Sequence, residues 1–251
     1  MSFVAPSERL FLPEALDSVA LGQERIELGD ATANHLIKVL RVREGDSLWL
    51  GDGRGTLRKV QVESLSKRSL VFECFDEVKR VEKPVPAVTL VLAMLQNRDD
   101  LERALTSAVE AGVDRMLLFR AERSNRALPD LSGAQGHRLR KLLREASSQS
   151  RRPWIPELAI VDEFQGALRC LDALYLADPE ASQELEYAIS ADAQEMGVLI
   201  GPEGGFTAAE LSVIYGEKPK KLWLGPAVLR ARTATALAVH RLVLIRETTK
   251  S

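Results

Sequence analysis

From Ala87 onward the chain repeats one pattern. A short and almost uncharged apolar run is followed by an amphipathic stretch of helical spacing, then by another apolar run. The apolar runs are AVTLVLAML, VDRMLLFR, DALYLAD, GVLIGPEGG and KLWLGP. Between and after them lie DDLERALTSAVEAG, GHRLRKLLREASSQS, TAAELSVIYG and the terminal RTATALAVHRLVLIRE. Strands that are apolar nearly throughout are buried on both faces, and strict alternation with helices covers those faces. The pattern therefore predicts an α/β domain built on a parallel sheet. Gly112 is placed to cap the first of its helices.

The first 80 residues follow a different rule. DSLWLGDGRGTLRKVQVESLSKRSLVFECF alternates short apolar runs with turn clusters at Gly51–Gly55 and Ser66–Ser69, which is the pattern of consecutive hairpins. The spacing of Gly51, Gly53 and Gly55 is not a dinucleotide fingerprint, because another strand pattern follows where a helix would be required. DATANHLIKVLRV predicts one short helix, with Lys38, Arg41 and Arg43 facing outward. Short strands around one small helix suggest a little β-barrel. The charged, proline-containing VKRVEKPVPAV separates the two rhythms and predicts domains at 1–82 and 86–251.

Bulk composition narrows the chemistry. A chain of 251 residues that is 45% hydrophobic and 28% charged can build a large core. Cys74 and Cys170 stand far apart, and His35, His137 and His240 have no ligand spacing, so neither a disulfide framework nor a metal is expected. The start MSFVAPSERL lacks a signal pattern and no apolar run reaches transmembrane length, which leads to the expectation of a cytoplasmic protein with no membrane partner.

The net charge of -2 conceals blocks of one sign. Ten Arg/Lys between Arg115 and Arg152 face only Glu122, Asp130 and Glu145. From Pro153 to Glu217 thirteen acids face Arg169 alone, and from Lys218 the chain is basic again. Such blocks suit either solvated helix faces or a local anionic partner. Nine of the ten cations in the middle block are arginine, whose fork matches phosphate oxygens.

In open parallel sheets, ligands bind at the carboxyl ends of strands. Three such ends stand out: Leu176-Ala177-Asp178-Pro179-Glu180, Ile200-Gly201-Pro202-Glu203-Gly204-Gly205, and Leu224-Gly225-Pro226-Ala227-Val228-Leu229-Arg230. After the second, Thr207 and Glu210 form a capping box, with Phe206 and Leu211 at the staple positions. The amides of that helix start are thereby satisfied from within. Glu203 would repel a phosphate, and the Lys and Ser/Thr of a P-loop are missing. A phosphate cradle is excluded. What remains suits a flat neutral group such as adenine, held by backbone amides and carbonyls.

LIGPEGGFTAAEL together with LWLGPAVLRARTATALA resembles the two signature loops of SPOUT-class methyltransferases. The likeness is to the family that methylates N3 of a uridine in small-subunit (16S) ribosomal RNA. ERLFL and NHLIKVLRVREGD look like its N-terminal PUA-like RNA-binding barrel. AERS (Glu122, Arg123, Ser124) and REASSQSRRPWIPEL (Glu145, Ala146, Gln149, Ser150, Arg152, Pro156) are similar to two further segments of the family. The resemblance implies a trefoil-knotted α/β domain, one of the rare knotted exceptions. It also implies a homodimer and S-adenosylmethionine as the methyl donor. By that likeness the cofactor would be held by Leu176, Ala177 and Asp178, by Ile200, Gly201, Pro202, Glu203, Gly204 and Gly205, and by Leu224, Gly225, Pro226, Val228 and Leu229.

Arg230, which matches the family's L-R, is the expected catalytic residue. It would orient the base or the adjacent phosphate, and a salt bridge to Glu203 is its alternative use. Lys38, Arg41, Arg43, Arg123 and Arg152 are the expected RNA contacts. The family usually reads L-R-x-E-T, whereas this chain has Leu229-Arg230-Ala231-Arg232-Thr233, a charge reversal at the mouth of the expected site. Ser107 stands where the family has lysine. These departures leave room for a diverged member that binds RNA without methylating it, or that methylates another position.

Overall fold

The structure is a computed structural model that describes residues 4–5, 7–14, 16, 20–29, 42–66, 69–124, 127–178, 181, 190 and 192–249. It divides into two compact units, residues 1–83 with 144–155, and residues 84–143 with 156–251.

The first unit is a five-stranded sheet of β1 (Leu10–Phe11), β2 (Arg25–Gly29), β3 (Ser47–Gly51), β4 (Thr56–Leu65) and β5 (Ser69–Arg80), in the order β1-β3-β4-β5-β2. Only the β1–β3 pair is parallel within it. β2 alternates in burial, sending Ile26 and Leu28 into a core shared with Leu48, Leu50, Val60, Val62, Leu70 and Phe72. The glycine cluster is a hairpin turn as expected. Asp52 Oδ1 accepts the amides of Arg54 at 2.7 Å and Thr56 at 3.1 Å. The predicted short helix, with Lys38 and Arg41, lies outside the described residues. Arg43 is exposed, and its amide donates to Asp46 Oδ2 at 3.0 Å.

Residues 144–155, far along the sequence, are fastened into this unit. Arg144 Nη1 donates to the Pro13 carbonyl at 2.8 Å and Leu12 N–H to Ser148 Oγ at 3.1 Å. Trp154 Nε1 donates to the Val81 carbonyl at 2.8 Å, and Ile155 N–H to that of Gly53 at 3.0 Å.

The second unit carries a six-stranded sheet, all parallel, in the order β11-β9-β10-β6-β7-β8. Its strands are β6 (Ala87–Ala93), β7 (Arg115–Phe119), β8 (Glu157–Ile160), β9 (Ala173–Ala177), β10 (Glu195–Ile200) and β11 (Lys220–Leu222). The helices are α1 (Arg98–Ala111), α2 (Ala134–Gln149), α3 (Phe164–Arg169), α4 (Ala208–Gly216) and α5 (Ala231–Thr249). The last turns of α2 cluster with the first unit. The apolar runs are strands as expected, and β6 and β10, side by side in the centre, are almost wholly buried. Asn97 caps α1, whose first turn carries Asp99 and Asp100, and Gly112 ends it in the left-handed conformation. β8 and α3 were not expected. No residue of β8 is fully buried, so its sequence lacks the apolar run that marks the other strands.

Glu102 on α1 accepts from Arg138 at 2.8 and 2.7 Å and from Arg98 at 3.0 Å. The Arg138 guanidinium foremost, with Arg98, holds its carboxyl below the usual glutamate value. A depressed folded value means this stabilisation is present above the unfolded value, about 4.3. It is lost as pH falls from there through the lower folded value. Glu102→Gln is therefore expected to flatten the acid limb of melting temperature against pH. An unchanged limb would show that the two arginines contribute nothing to stability.

Candidate functional site

β9, β10 and β11 are neighbours and end on the same edge of the sheet, so the three distinctive loops emerge side by side. Together with α4 and the start of α5 they line an open cavity of about 580 Å³, a size suited to a compact organic ligand. Leu176, Ala177 and Asp178 line it from β9. Ile200, Gly201, Pro202, Glu203 and Gly205 line it from β10, and Val228, Leu229 and Arg230 from the approach to α5. Gly204, Leu224, Gly225 and Pro226 belong to the same loops but are not on the wall, while Pro179 and Glu180 lie outside the described residues.

The sequence reading missed Phe206, Leu211, Tyr215, Lys221, Ala231 and Ala234 on the wall. Phe206 and Leu211, at the staple positions, pack on the core of this unit and also face the ligand space. Tyr215 and Lys221 carry no local signal, because only the placing of α4 and β11 beside β9 brings them there.

The loop after β10 is held in shape by its neighbours. The capping box is formed. Thr207 N–H donates to Glu210 Oε2 at 2.8 Å and Glu210 N–H to Thr207 Oγ1 at 3.3 Å. Glu210 Oε1 takes a further amide, that of Glu122 on the loop after β7, at 2.9 Å. This carboxylate is buried, yet hydrogen-bonded on both oxygens. Arg123 Nη1 donates to the Gly204 carbonyl at 3.0 Å, and Ser124 Oγ to that of Met94 at 3.0 Å. The AERS segment thus braces the loop after β10. Gly205 has φ +69°, a left-handed conformation that glycine adopts without strain. With the Thr207 and Glu210 amides engaged this way and the Glu203 carboxylate on the same wall, the helix start is poorly suited to a phosphate.

Arg230 lines the cavity where α5 begins, and its carbonyl accepts the amides of Thr233 and Ala234, both at 2.9 Å. The alternative use considered for it, a salt bridge to Glu203, is not made. The Glu203 carboxylate instead accepts the Gln96 amide at 3.2 and 3.3 Å. Among the described residues no hydrogen bond or ion pair occupies the Arg230 guanidinium. Arg232, two residues on, is absent from the cavity wall. Its Nη1 binds Asp100 Oδ1 in the first turn of α1 at 2.5 Å. A cation in the first turn of a helix opposes the helix dipole, and the carboxylate of Asp100 offsets that. The charge reversal is a paired charge rather than a free one at the mouth. Ser107 Oγ bonds back to the Arg103 carbonyl at 2.8 Å.

The arginine block between 115 and 152 is largely engaged within the protein. Arg115 pairs with Glu195 and Arg138 with Glu102, while Arg140, Arg144 and Arg151 donate to the carbonyls of Leu131, Pro13 and Glu8. Arg123 and Arg152 stand among them, the first exposed and the second half-buried. Charge counts along a sequence do not register carbonyl acceptors, so the block overstated the cations available to a partner. Among the described residues no group of three His, Cys, Asp or Glu side chains could hold a metal ion, and no helix is long and apolar enough to cross a membrane.

The fold and cavity define a class: an α/β domain with a ligand site at the carboxyl edge of a parallel sheet, joined to a small β domain. The RNA methyltransferase domain family matches residues 81–243, and the RNA methyltransferase PUA domain matches residues 28–73. The ribosomal RNA small subunit methyltransferase E of Mycobacterium bovis is 31% identical over 218 residues, covering 82% of this chain and 80% of the relative. That of Bacillus subtilis is 29% identical over 220 residues, covering 82% and 84%. The crystal structure of the same enzyme from Neisseria gonorrhoeae, bound to S-adenosyl methionine, shares the fold. Its TM-score is 0.77 at 23% identity, over 95% of this chain and 98% of that one. The chain belongs to the ribosomal RNA small subunit methyltransferase E family of RNA methyltransferases.

Proposed function

We propose that the protein transfers the methyl group of S-adenosylmethionine to N3 of a uridine in small-subunit (16S) ribosomal RNA. One observation carries the reading: three adjacent strand ends line a ligand-sized cavity, with the Arg230 guanidinium, unengaged among the described residues, on its wall. The cavity fits the cofactor. Its glycine and proline loops present backbone amides and carbonyls to an adenine, and Leu176, Ile200, Phe206 and Leu211 provide apolar wall. Leu176–Asp178, Ile200–Gly205 and Val228–Leu229 would hold it, with Leu224, Gly225 and Pro226 setting the path of the third loop.

When bound, S-adenosylmethionine supplies an electrophilic methyl on a sulfonium. The nucleophile, uridine N3, carries a proton and is weak until that proton is lost to solvent water; N3 then takes the methyl group and S-adenosylhomocysteine leaves. Arg230 would provide a cation where negative charge develops on the base, and the braced loops hold the approach. The base itself must be turned out of its stack to reach the cavity. Arg43 and Arg152 of the first unit and Arg123 of the second, with Lys38 and Arg41, are the proposed RNA contacts. The protein would act in the cytoplasm.

Two architectural expectations belong to the same reading. A domain at 1–82 would bind RNA, and one at 86–251 would carry methyl transfer and add the contacts of Arg123 and Arg152. β11 is the sheet edge beyond β9, yet α5 packs back on α1, β6 and β10. That return supports a trefoil knot, which an experimental backbone trace showing an unthreaded path would exclude. Leu237 and Leu244, a heptad apart on α5, are 40% and 44% exposed, which supports a homodimer built on that helix. A monomeric mass in sedimentation equilibrium would remove that part.

The test of the activity uses labelled S-adenosylmethionine with small-subunit RNA lacking the modification, both free and as assembled particles. Nuclease digestion and mass spectrometry then locate the methyl group. Label on N3 of one uridine is the expected result. Transfer to another position overturns the N3 assignment, and no transfer to either substrate overturns the enzymatic reading. The alternative, a binder that no longer methylates, drew on the charge reversal at Arg232, which the structure accounts for by the pairing with Asp100.

A further inference from the structure

We propose that Arg123 couples RNA binding to cofactor binding: one guanidinium nitrogen shapes the loop after β10 while the other donors take a phosphate of the RNA. The inference rests on the reading of the cavity as the cofactor site and of Arg123 as an RNA contact. Arg123 does not line the cavity, so its role is positioning rather than catalysis. It holds the cavity loop from outside the wall. Residues 202–205 form a turn closed by the Gly205 amide on the Pro202 carbonyl at 2.9 Å. Pro202, Glu203 and Gly205 face the cavity, whereas Gly204 does not. It is the Gly204 carbonyl that accepts from Arg123 Nη1, at 3.0 Å.

The contact is close as well as polar. A Cβ on Gly204 would stand 3.3 Å from Arg123 Cβ and 3.6 Å from its Cδ, so the turn lies against the aliphatic stem of the arginine. Gly204 is not in the left-handed region, and close approach is what its missing side chain serves. The arginine's backbone is fixed on both sides. Ala121 and Ser124 are buried, Ala121 N–H donates to Ser124 Oγ at 3.2 Å, and Ser124 N–H donates to the Ala121 carbonyl at 2.9 Å. The residue itself is exposed, and among the described residues the bond to Gly204 is the guanidinium's one hydrogen bond. A guanidinium carries five donors in a fixed plane, so most of them remain for phosphate oxygens. A phosphate there fixes the side chain and, through it, the turn. A cofactor that needs the turn in this shape then meets a loop already ordered, which raises its affinity. The linkage is reciprocal, and bound cofactor strengthens RNA binding by the same factor.

The test measures S-adenosylhomocysteine by equilibrium dialysis on the full chain, with and without small-subunit RNA lacking the modification. Filter retention checks that the RNA is bound. RNA is expected to raise the affinity of the natural protein by about fivefold or more. Arg123→Ala should bind S-adenosylhomocysteine more weakly and lose the gain, to within about twofold. Arg123→Lys keeps the stem and a point cation but not the fork. It should therefore exceed alanine without RNA and still fall short of the natural gain. Full gain in either variant overturns the proposal, as does a natural protein that holds RNA and gains nothing. A natural protein that binds no S-adenosylhomocysteine in either condition overturns the cofactor reading itself, and one that retains no RNA overturns the RNA contact.

Discussion

Arg230→Ala is expected to slow methyl transfer by about a hundredfold to a thousandfold, the usual consequence of removing a preorganised group that stabilises developing charge. Affinity for S-adenosylhomocysteine should stay within about threefold, because an interaction made chiefly in the transition state affects rate rather than binding. The separation is physically reasonable here. Arg230 begins α5 through its backbone carbonyl, which alanine keeps, so the loss is confined to the guanidinium. Single-turnover rates at saturating cofactor, beside calorimetric titration, make the comparison. A rate within about twofold of the natural protein would remove Arg230 from the mechanism, and a parallel collapse of cofactor affinity would reassign it to binding.

The second large effect concerns Arg232. Arg232→Glu restores the family's usual residue, yet in this chain it sets a carboxylate against Asp100. The first turns of α1 and α5 would then repel where they now attract. Arg230 lies two residues before Arg232, so the displacement reaches the cavity wall, and an error of about 1 Å can cost about a hundredfold in rate. The expected result is a loss of at least about tenfold in rate, with a lowered melting temperature. The double exchange Asp100→Arg with Arg232→Glu should recover both. It reverses each charge's relation to its helix dipole, so the losses and gains at the two helix starts offset one another. A double variant no better than the single would show that the pair does not position Arg230. An active Arg232→Glu single variant would show the same.

The parts of the molecule that were legible in the sequence are those whose physics is local. Burial on both faces marks β6, β9 and β10 by composition alone, and Thr207, Glu210, Gly112 and the Gly51–Gly55 turn act within a few residues of themselves. β8 escaped notice because its residues are half-buried or exposed and give no apolar run. The candidate site was legible as three loops, since their glycines and prolines mark strand ends. Its remaining wall was not. Tyr215 and Lys221 reach the cavity through sheet order, and Asp100 reaches Arg232 across 132 positions of sequence. The arginine block misled for a related reason. The partners of Arg144 and Arg151 are main-chain carbonyls more than a hundred residues away, which no tally of charged side chains records.

The first unit is discontinuous in sequence, and this limits how the protein can be divided. A cut after Lys83 separates 144–155 from the residues that receive them. A fragment beginning at Pro84 would carry Trp154 and Ile155 with the carbonyls of Val81 and Gly53 gone, and Ser148 without the Leu12 amide. The complementary fragment would expose the apolar surface of Leu12 and Trp49 that Ile155 packs upon. Neither piece is a self-sufficient folding unit, so proteolysis in the 81–86 linker should yield a nicked but associated molecule rather than two free domains. The same threading means that insertions or deletions in α2 act on both units at once, and such changes should be tolerated less there than in the hairpin turns.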